Sequence, residues 1–434
     1  MSYMFKSDQD IITKMKFNNY FIFIFIAVCF KFSLDFSYVS LIVEPYHYIG
    51  LDYEYAPVKI LISYLSSISL FTLSYKNKIL PSYYFTVLLL LITWVPLSTI
   101  YAFSSYPSQF YYQVTFLFLL LILIVKYIKL SVYSFKIPIK FISFFSVGLF
   151  LLVLVFIVFS LYKMNFNLNF NTKLLYQTRE IFHANVANGV VGYLYTFITK
   201  SILVFFMSFS LYKKNYISFF ILMSLEILIS GMSNHKAIFL YPFLIIFIHV
   251  LLRNKISPSI MLFGFLTIVI VGDLLTLIGV DKILIIFILR MFFVSSVIDY
   301  KHYVFFQDNP FTYFSNSFLA GLIDYNYTEL IPDIIGFGMW EPDKAGFANT
   351  GAFGSGYMHM GFLGMFLFTM VIALVFLLSD AIASKHHRGY LLVIPSLIVS
   401  VRTFNSADMG SVLFSHGLLL TLLLLFLYYK NINR

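Results

Sequence analysis

Long apolar stretches alternate with short polar connections along almost the whole chain. As helices, runs of about 20 apolar residues are long enough to cross the ~30 Å hydrocarbon core of a bilayer. The pattern predicts an all-α, polytopic integral membrane protein with about twelve transmembrane helices in a single membrane domain, residues 1–434. The predicted spans lie near 19–40, 57–75, 82–103, 110–127, 141–162, 188–212, 216–232, 236–252, 258–279, 352–379, 389–404 and 409–429.

The composition supports the same class. Hydrophobic residues make up 60% of the chain and charged residues 11%, whereas a soluble domain has about a quarter of its residues charged. The single cysteine, Cys29, lies in the first apolar run and can form no internal disulfide. We interpret that run as a retained span, because no small-residue cleavage site follows a short apolar core.

The distribution of charge predicts the orientation. With the N-terminus inside, most of the 29 Lys and Arg residues fall in inward-facing connections. The outward-facing connections carry more acidic than basic residues. The positive-inside rule therefore predicts that both termini are cytoplasmic, and the net charge of +10 reflects orientation rather than binding to nucleic acid.

One predicted outer connection is much longer than the others. Residues 280–350 form a loop of about 70 residues, where ordinary connections are short. It begins with an apolar segment, 282–298, that we predict to be an interfacial helix carrying Arg290. A guanidinium binds a phosphate or pyrophosphate through two parallel N–H bonds. A snorkelling or salt-bridged arginine is the alternative interpretation.

Three other cations are predicted on the outer side: Arg179, Lys236 and Arg402. With Arg290 they suggest a pocket for an anionic head group. For Arg179 the alternative is a solvated charge paired with Glu180, and Arg402 is close enough to a span end to snorkel.

Seven residues predicted on or near the outer side are candidates for a general base: Glu180, His183, Asp299, His302, Glu341, Asp343 and His359. Of these we assign Glu341, Asp343 and His359. For His359, the alternative is a histidine satisfied by backbone or by a neighbouring helix. The sequence has no metal-ligand cluster and no phosphate-binding glycine loop after a strand, so we predict no metal and no cofactor. An outward-facing enzyme without a nucleotide must draw its energy from the substrate, as a sugar on a lipid pyrophosphate allows.

The chain resembles bacterial O-antigen and capsule repeat-unit polymerases, the Wzy-type membrane glycosyltransferases. Three segments carry the resemblance: Asn349-Thr350-Gly351-x-x-Gly354-x-Gly356-Tyr357-x-His359-x-Gly361-x-x-Gly364, Arg290-Met291-Phe292-Phe293-Val294 with the aromatic residues Tyr300, Tyr303, Phe305 and Phe306 after it, and Tyr176-x-x-Arg179. The glycines of the first segment are typical of close helix packing. The chain departs from the family's spacing of arginine and glycine in the outer loops. Gly189 lies one residue closer to Arg179 than the family's spacing requires. After Arg290, the first glycine is Gly321.

The resemblance implies a multi-pass polymerase in the cytoplasmic (inner) membrane of a bacterium, with its active site facing the periplasm or outside. It would transfer a growing glycan from undecaprenyl pyrophosphate to the terminal sugar of a lipid-linked repeat unit. The implied partners are that undecaprenyl-pyrophosphate-linked oligosaccharide, membrane lipids, a chain-length regulator and a flippase. The implied catalytic residues are Arg290, Arg179, Glu341, Asp343 and His359, and the implied substrate-binding residues are Arg402, Tyr176, Lys236, Asn349, Tyr357 and Trp340.

Three other functions remain open from the sequence. A ligase that moves the finished glycan to another lipid shares the architecture and the donor. A flippase or transporter would place its charges along a central cavity through many spans. A non-catalytic scaffold for a glycan assembly complex would tolerate loss of all its outer charges.

Overall fold

The computed structural model describes residues 2–76, 78–131, 138–171, 174–255, 258–317, 319–337 and 347–428, with side chains from residue 19 onward except at 139 and 176. The regular secondary structure of these described residues is helical, and they contain no β-strand. Among them, ten helices are long and apolar enough to cross a membrane: Asn19–Ile42, Pro57–Ser74, Pro81–Phe103, Ser108–Tyr127, Lys140–Lys163, Gly189–Tyr212, Tyr216–Ser233, Lys236–Arg253, Ser259–Leu277 and Ala352–Ser384. The all-α polytopic class is therefore confirmed.

The last two predicted spans coincide with shorter apolar helices, Tyr390–Asn405 and Leu418–Tyr428. Twelve spans and cytoplasmic termini remain predictions. Within the described residues, the α-helices are α1 (Ser2–Ser37), α2 (Pro57–Ser74), α3 (Pro81–Leu89), α4 (Val95–Phe103), α5 (Ser108–Tyr127), α6 (Ile139–Lys163), α7 (Leu175–Asn185), α8 (Gly189–Phe197), α9 (Leu203–Tyr212), α10 (Tyr216–Ser233), α11 (Lys236–Arg253), α12 (Ser259–Leu277), α13 (Ser295–Asp308), α14 (Ile331–Phe337), α15 (Ala352–Ser384), α16 (Tyr390–Arg402) and α17 (Leu418–Tyr428).

Wider π-helical turns join or extend several of these helices. They cover Tyr38–Ile42, Leu90–Trp94, Ile198–Ile202, Leu284–Val294 and Ser411–Ser415, and short 3₁₀ turns cover His47–Ile49 and Thr403–Asn405. Proline marks many of the helix starts. Pro57 and Pro81 are the first residues of α2 and α3, where the missing N–H would have no partner inside the helix anyway.

The chain divides into two compact units. The first unit comprises Met1–Ile128, Ile256–Phe376 and Phe404–Met409, and the second comprises Lys129–Lys255, Leu377–Thr403 and Gly410–Arg434.

In the first unit, α1 packs against α2 and α12, while α2 also packs against α4 and α5. Every residue from 81 to 103 is buried, including Trp94. An ion pair between Lys31 and Asp35 lies inside α1, and the Lys31 ammonium also donates to Thr99 Oγ1 at 3.2 Å. Pairing offsets part of the cost of burying these charges among spanning helices.

In the second unit, α9 and α11 each pack against both α10 and α16. The α6 helix is apolar on all sides and leaves many large side chains exposed, such as Phe144 and Val155. A helix without a polar face suits contact with lipid tails.

The long predicted loop begins as a helix that continues beyond the expected end at residue 298. The π-helical segment Leu284–Val294 runs directly into α13, which ends at Asp308. Phe292 and Phe293 are buried, and their rings contact those of Phe30 and Tyr38. This packing gives the start of the loop a fixed place in the first unit.

The predicted span 352–379 is a helix interrupted near its start. Met360 (φ −150°) and Gly361 (φ +59°) are non-helical within α15. A Cβ on Gly356 would lie 2.8 Å from Met365 Cα, so the chain folds sharply back after the first part. The glycines therefore serve close packing, as predicted. We call residues 352–359, before the kink, the half-helix.

Candidate functional site

Some predicted residues lie outside the described part of the chain. Trp340, Glu341 and Asp343 are among them, and so is the side chain of Tyr176. The other predicted residues divide between the two units. Arg290, Asn349, Tyr357 and His359 belong to the first unit, and Arg179, Lys236 and Arg402 belong to the second.

The start of the half-helix is held by a carboxylate from α13. Asp299 accepts hydrogen bonds from the Thr350 hydroxyl and, at 3.0 Å, from the Gly351 N–H. The first N–H groups of a helix have no partner within the helix, so a carboxylate at this end is stabilising. A Cβ at Gly354 would lie 2.8 Å from Asp299 Oδ1, so a side chain at position 354 would collide with the Asp299 carboxylate.

The end of the half-helix is held by the loop that follows α13. The kink leaves the last carbonyl groups without their usual helical partners. The Thr312 N–H donates to Met358 O at 3.0 Å, and the Tyr313 N–H donates to His359 O at 3.2 Å. Both ends of the half-helix are thus bonded to the stretch 299–314.

His359 occupies the last position of the half-helix and is fully buried. Its Nδ1 lies 2.7 Å from Thr312 Oγ1 and accepts the Phe314 N–H at 3.3 Å. The Phe314 ring stacks on the imidazole, with 4.1 Å between centroids. Since a backbone N–H can only donate, Nδ1 must carry a lone pair in this arrangement.

The other ring nitrogen of His359 faces a carboxylate. Nε2 lies 2.9 Å from Asp408 Oδ2. With Nδ1 as an acceptor, Nε2 carries the proton and donates it to Asp408. The side chain of His359 is 0% exposed and that of Asp408 is 23% exposed. Solvent and ligands therefore reach this pair from the side of Asp408.

Asn405 connects this pair with the neighbourhood of Arg290. Its amide oxygen accepts from Thr93 Oγ1 at 2.9 Å, and its Nδ2 donates to the Met291 carbonyl at 3.4 Å. A Cβ on Gly351 would lie 2.8 Å from the carbonyl carbon of Asn405. Gly351, Met291 and Asp408 are therefore gathered around one short segment, Phe404–Met409, of the first unit.

Arg290 directly precedes Met291 and is exposed, although its neighbours Leu289 and Phe292 are buried. Asn349, two residues before Gly351, is also exposed. Tyr357 is half-buried, with its ring 4.4 Å from that of Tyr303. Arg290 and Asn349 thus present polar groups at the surface of the first unit, whereas Tyr357 packs within it.

The pKa values of two buried groups on α13 move in opposite directions. Burial raises the pKa of Asp299 to about 7, against the opposing effect of its hydrogen bonds from Thr350 and Gly351. Burial lowers the pKa of His302 to about 4, although its bond to the Ile298 carbonyl acts the other way. Both shifts disfavour the charged form, as desolvation requires.

The second unit contains a group of basic side chains. We call it the cationic group after its charged members Arg179, Lys200 and Arg402, and it also contains the histidines His183, His235 and His416. Electrostatic interactions link His235 with Arg179, His183 and Lys200, and Lys200 in turn with Arg402 and His416. Lys236 is exposed and follows His235 directly. Arg179 acts on His235 and Arg402 acts on Lys200, and convergence of the predicted cations on one anion stays a prediction.

Burial and like charge act together on the histidines of the cationic group. Burial first, and then the positive side chains around it, lower the pKa of His235 to about 3. Burial first, and then the Lys200 ammonium, lower the pKa of His416 to about 3. A bound anion would reverse the effect of like charge.

A network of asparagines shapes the part of this unit that holds Arg179. The Arg179 guanidinium donates to the Asn234 carbonyl at 3.5 Å, and Asn234 Nδ2 donates to the Asn171 carbonyl at 3.0 Å. Asn234 ends α10 with φ +49°, a left-handed conformation that asparagine tolerates well. Arg179 is therefore bonded to a helix end rather than left as a flexible surface charge.

Glu226 in α10 differs from every group above. It is 0% exposed, and neither carboxylate oxygen has a hydrogen-bond partner. A group of three or more His, Cys, Asp or Glu side chains that could hold a metal does not occur in the described residues.

Sequence reasoning did not assign a role to Asn405 or Asp408, which lie in the connection between the last two predicted spans, 389–404 and 409–429. It did not identify Thr312 or Asp299 as partners of the half-helix. An acid and an amide beside Arg402, after an apolar helix, were the available signal for the first two. The sequence contained no signal for Thr312, because its partner His359 is 47 residues away.

No protein-family model matches the chain, and neither the curated proteins nor the solved structures include a significant match.

Proposed function

We propose that this protein is a membrane glycosyltransferase that polymerises lipid-linked oligosaccharide repeat units. The growing glycan would leave its undecaprenyl pyrophosphate carrier and join the terminal sugar of a new lipid-linked unit at the outer face of the membrane. The observation that carries the proposal is the pairing of buried His359 with partly exposed Asp408, on the segment that also bonds the backbone beside Arg290.

The chemistry of the reaction needs those residue types. A sugar hydroxyl must lose a proton as it attacks, and a positioned acid–base group supplies about 10²- to 10⁴-fold in rate. The departing pyrophosphate gains negative charge, which a guanidinium stabilises through paired hydrogen bonds. Asp408 with His359 supports the first requirement, and exposed Arg290 supports the second.

The cationic group supports a second anion site. In such a polymerase both substrates are lipid pyrophosphates, so two phosphate-binding places are required. Arg179, Lys200 and Arg402 offer the positive charge that one pyrophosphate needs.

In the first unit, Asn349 is exposed before the half-helix and offers an amide for sugar hydroxyls.

A carrier for the lipid-linked unit is the second candidate. The buried ion pair of Lys31 and Asp35 with Thr99 favours it, since ionisable groups at span depth often mark transport pathways. A carrier of this kind would lose function on Lys31→Met and keep it on Asp408→Asn.

The test is complementation of a deletion strain, read as a gel ladder of surface glycan. We compare the wild type with Arg290→Ala, Arg290→Lys and the matched control Arg253→Ala, an exposed arginine at the end of α11. The proposal predicts single repeat units on an intact anchor in the deletion strain and in Arg290→Ala, and a full ladder in Arg253→Ala.

Other ladders would support other functions. Long polymer that stays on its carrier lipid in the deletion strain would identify a ligase. Repeat units that accumulate inside the cell would identify a flippase. A ladder that is lost in the deletion strain but unchanged in Arg290→Ala would favour a scaffold. An unchanged ladder in the deletion strain would contradict all of these functions. Protein levels of each variant are measured by immunoblot, so that lost expression is not mistaken for lost activity.

A further inference from the structure

We propose that the Asp408 carboxylate, rather than the His359 imidazole, accepts the proton from the attacking sugar hydroxyl. This inference rests on the proposed function and names the base of that same site. It assigns His359 a positioning role, in which the histidine orients Asp408 without touching the substrate.

The first argument is that His359 has no lone pair facing outward. The lone pair on Nδ1 points to the Phe314 N–H and the Thr312 hydroxyl, and Nε2–H points to Asp408. A general base must be within hydrogen-bond reach of the proton that it removes. For His359 to act as the base, the ring would have to exchange tautomers and lose the bond from Phe314.

The second argument is accessibility. The His359 side chain is 0% exposed, while that of Asp408 is 23% exposed. The Phe314 ring covers one face of the imidazole at 4.1 Å. A sugar hydroxyl can therefore approach the Asp408 carboxylate, but it would have to displace protein groups to reach a nitrogen of His359.

The third argument is that the surroundings of His359 fix its orientation. Both ends of the half-helix are bonded to residues 299–314, and the imidazole is held at both nitrogens. A donor held against one oxygen of a carboxylate orients that carboxylate. Such preorganisation is the usual role of a supporting residue behind a reacting group.

The step balances as a displacement. The acceptor hydroxyl oxygen forms a bond to the anomeric carbon of the donor glycan. The bond from that carbon to the pyrophosphate oxygen breaks, and its electron pair leaves with the lipid pyrophosphate. The hydroxyl proton passes to the Asp408 carboxylate, which later releases it to water.

The experiment measures polymer formation by purified, detergent-solubilised protein from lipid-linked repeat units. Asp408→Asn keeps the shape of the side chain and an acceptor for His359, and it removes the basicity. We expect its rate to fall by about 10²- to 10⁴-fold. His359→Gln can still present an N–H donor to Asp408, and we expect it to retain at least about a tenth of the wild-type rate.

Chemical rescue separates the two candidate bases independently. In Asp408→Gly, formate should restore activity, because a small carboxylate can occupy the partly exposed position. In His359→Gly, 1-methylimidazole, which has a basic nitrogen but no N–H to donate to Asp408, should restore none. Elution volume and thermal stability show whether each variant is folded. If the glycine variants are unstable, the rate of Asp408→Asn tests the assignment instead.

Each remaining outcome contradicts a specific statement. Full activity of Asp408→Asn, equal loss in His359→Gln and Asp408→Asn, or rescue of His359→Gly by 1-methylimidazole would overturn the assignment of Asp408 alone. A folded wild-type protein that makes no polymer would overturn the proposed function and this inference with it.

Discussion

Two histidines in comparable places have opposite surroundings. His359 ends the half-helix of the first unit and pairs with a carboxylate, while His235 precedes α11 in the second unit and interacts with Arg179, His183 and Lys200. Both lie next to apolar helices and both are shielded from water to some degree. Their neighbours therefore distinguish them, and burial alone does not.

The difference indicates two kinds of site. A histidine hydrogen-bonded at both nitrogens, one of them to a carboxylate, belongs to a preorganised acid–base pair. A histidine whose neighbours are cations stays neutral, and the positive charge around it attracts an anion. Glu226, buried without a hydrogen-bond partner, fits neither description.

The largest effect should come from releasing the start of the half-helix. Asp299→Ala leaves the Thr350 hydroxyl and the Gly351 N–H without their acceptor, at a cost of about 1–3 kcal/mol for each buried group. Gly351 packs against the backbone of Asn405, so the release also displaces the segment that carries Asp408. A shift of about 1 Å in a catalytic group costs on the order of 100-fold in rate. We expect a loss of that size in polymer formation and a lower melting temperature.

Asp299→Asn is the matched control, because its amide oxygen can still accept both hydrogen bonds. It should keep activity within about threefold of wild type. If Asp299→Ala were as active as Asp299→Asn, the half-helix would not depend on α13. The proposed difference between His359, which hydrogen bonds hold in place, and His235, which lies among cations, would then be contradicted for His359.

A smaller effect should come from crowding the contact between the half-helix and the rest of α15. A Cβ on Gly356 would lie 2.8 Å from Met365 Cα, so Gly356→Ala forces backbone to move. Overpacking of this kind costs about 1–3 kcal/mol. We expect a melting temperature lower by several degrees and reduced polymer formation.

Gly264→Ala in α12 is the control for Gly356→Ala, since nothing lies within 4 Å of its added Cβ. Alanine is favoured over glycine in a helix by up to about 1 kcal/mol, so this variant should be neutral or slightly more stable. Equal melting temperatures for the two variants would show that the kink does not require glycine at 356.

The smallest effect should appear in anion binding by the second unit. The pKa of His235 is lowered to about 3, and a nearby anion favours the charged form and raises that pKa. The complex then binds more protons than the protein alone, so affinity rises as pH falls. We expect inorganic pyrophosphate to bind a few-fold more tightly at pH 5.5 than at pH 7.5 by titration calorimetry.

Two variants sharpen this measurement. His235→Gln should flatten the pH dependence, and Arg179→Gln should weaken binding at both pH values by about tenfold, because a charge-assisted contact is lost. Binding that is independent of pH in the wild type would show that the anion does not approach His235.

Particular residues show how far prediction from sequence reached. The apolar runs located the helices to within a few residues, for example 236–252 against Lys236–Arg253, because hydropathy is a local property of a continuous segment. The kink in α15 was not predicted, although Gly361 at its centre was noted, since a glycine in a span is equally compatible with a straight, closely packed helix.

The candidate site was predicted only in part. Arg290, Asn349 and His359 belong to one unit and Arg179 with Arg402 to the other, a division that no spacing in the chain reveals. Asp299 was predicted only as one of several candidate bases, and nothing in the sequence indicated a role for Thr312. Their roles depend on hydrogen bonds to residues about 50 positions later.

The sequence by itself determined the membrane class, the approximate helices and the residue types available for chemistry. Continuous runs of apolar side chains satisfy a bilayer whatever their neighbours in space. The tertiary structure alone decided that His359 faces Asp408, that Asp299 holds the half-helix, and that His235 lies among cations. Hydrogen bonds and Coulomb interactions act over a few ångströms between distant segments, so only packing determines which charges meet.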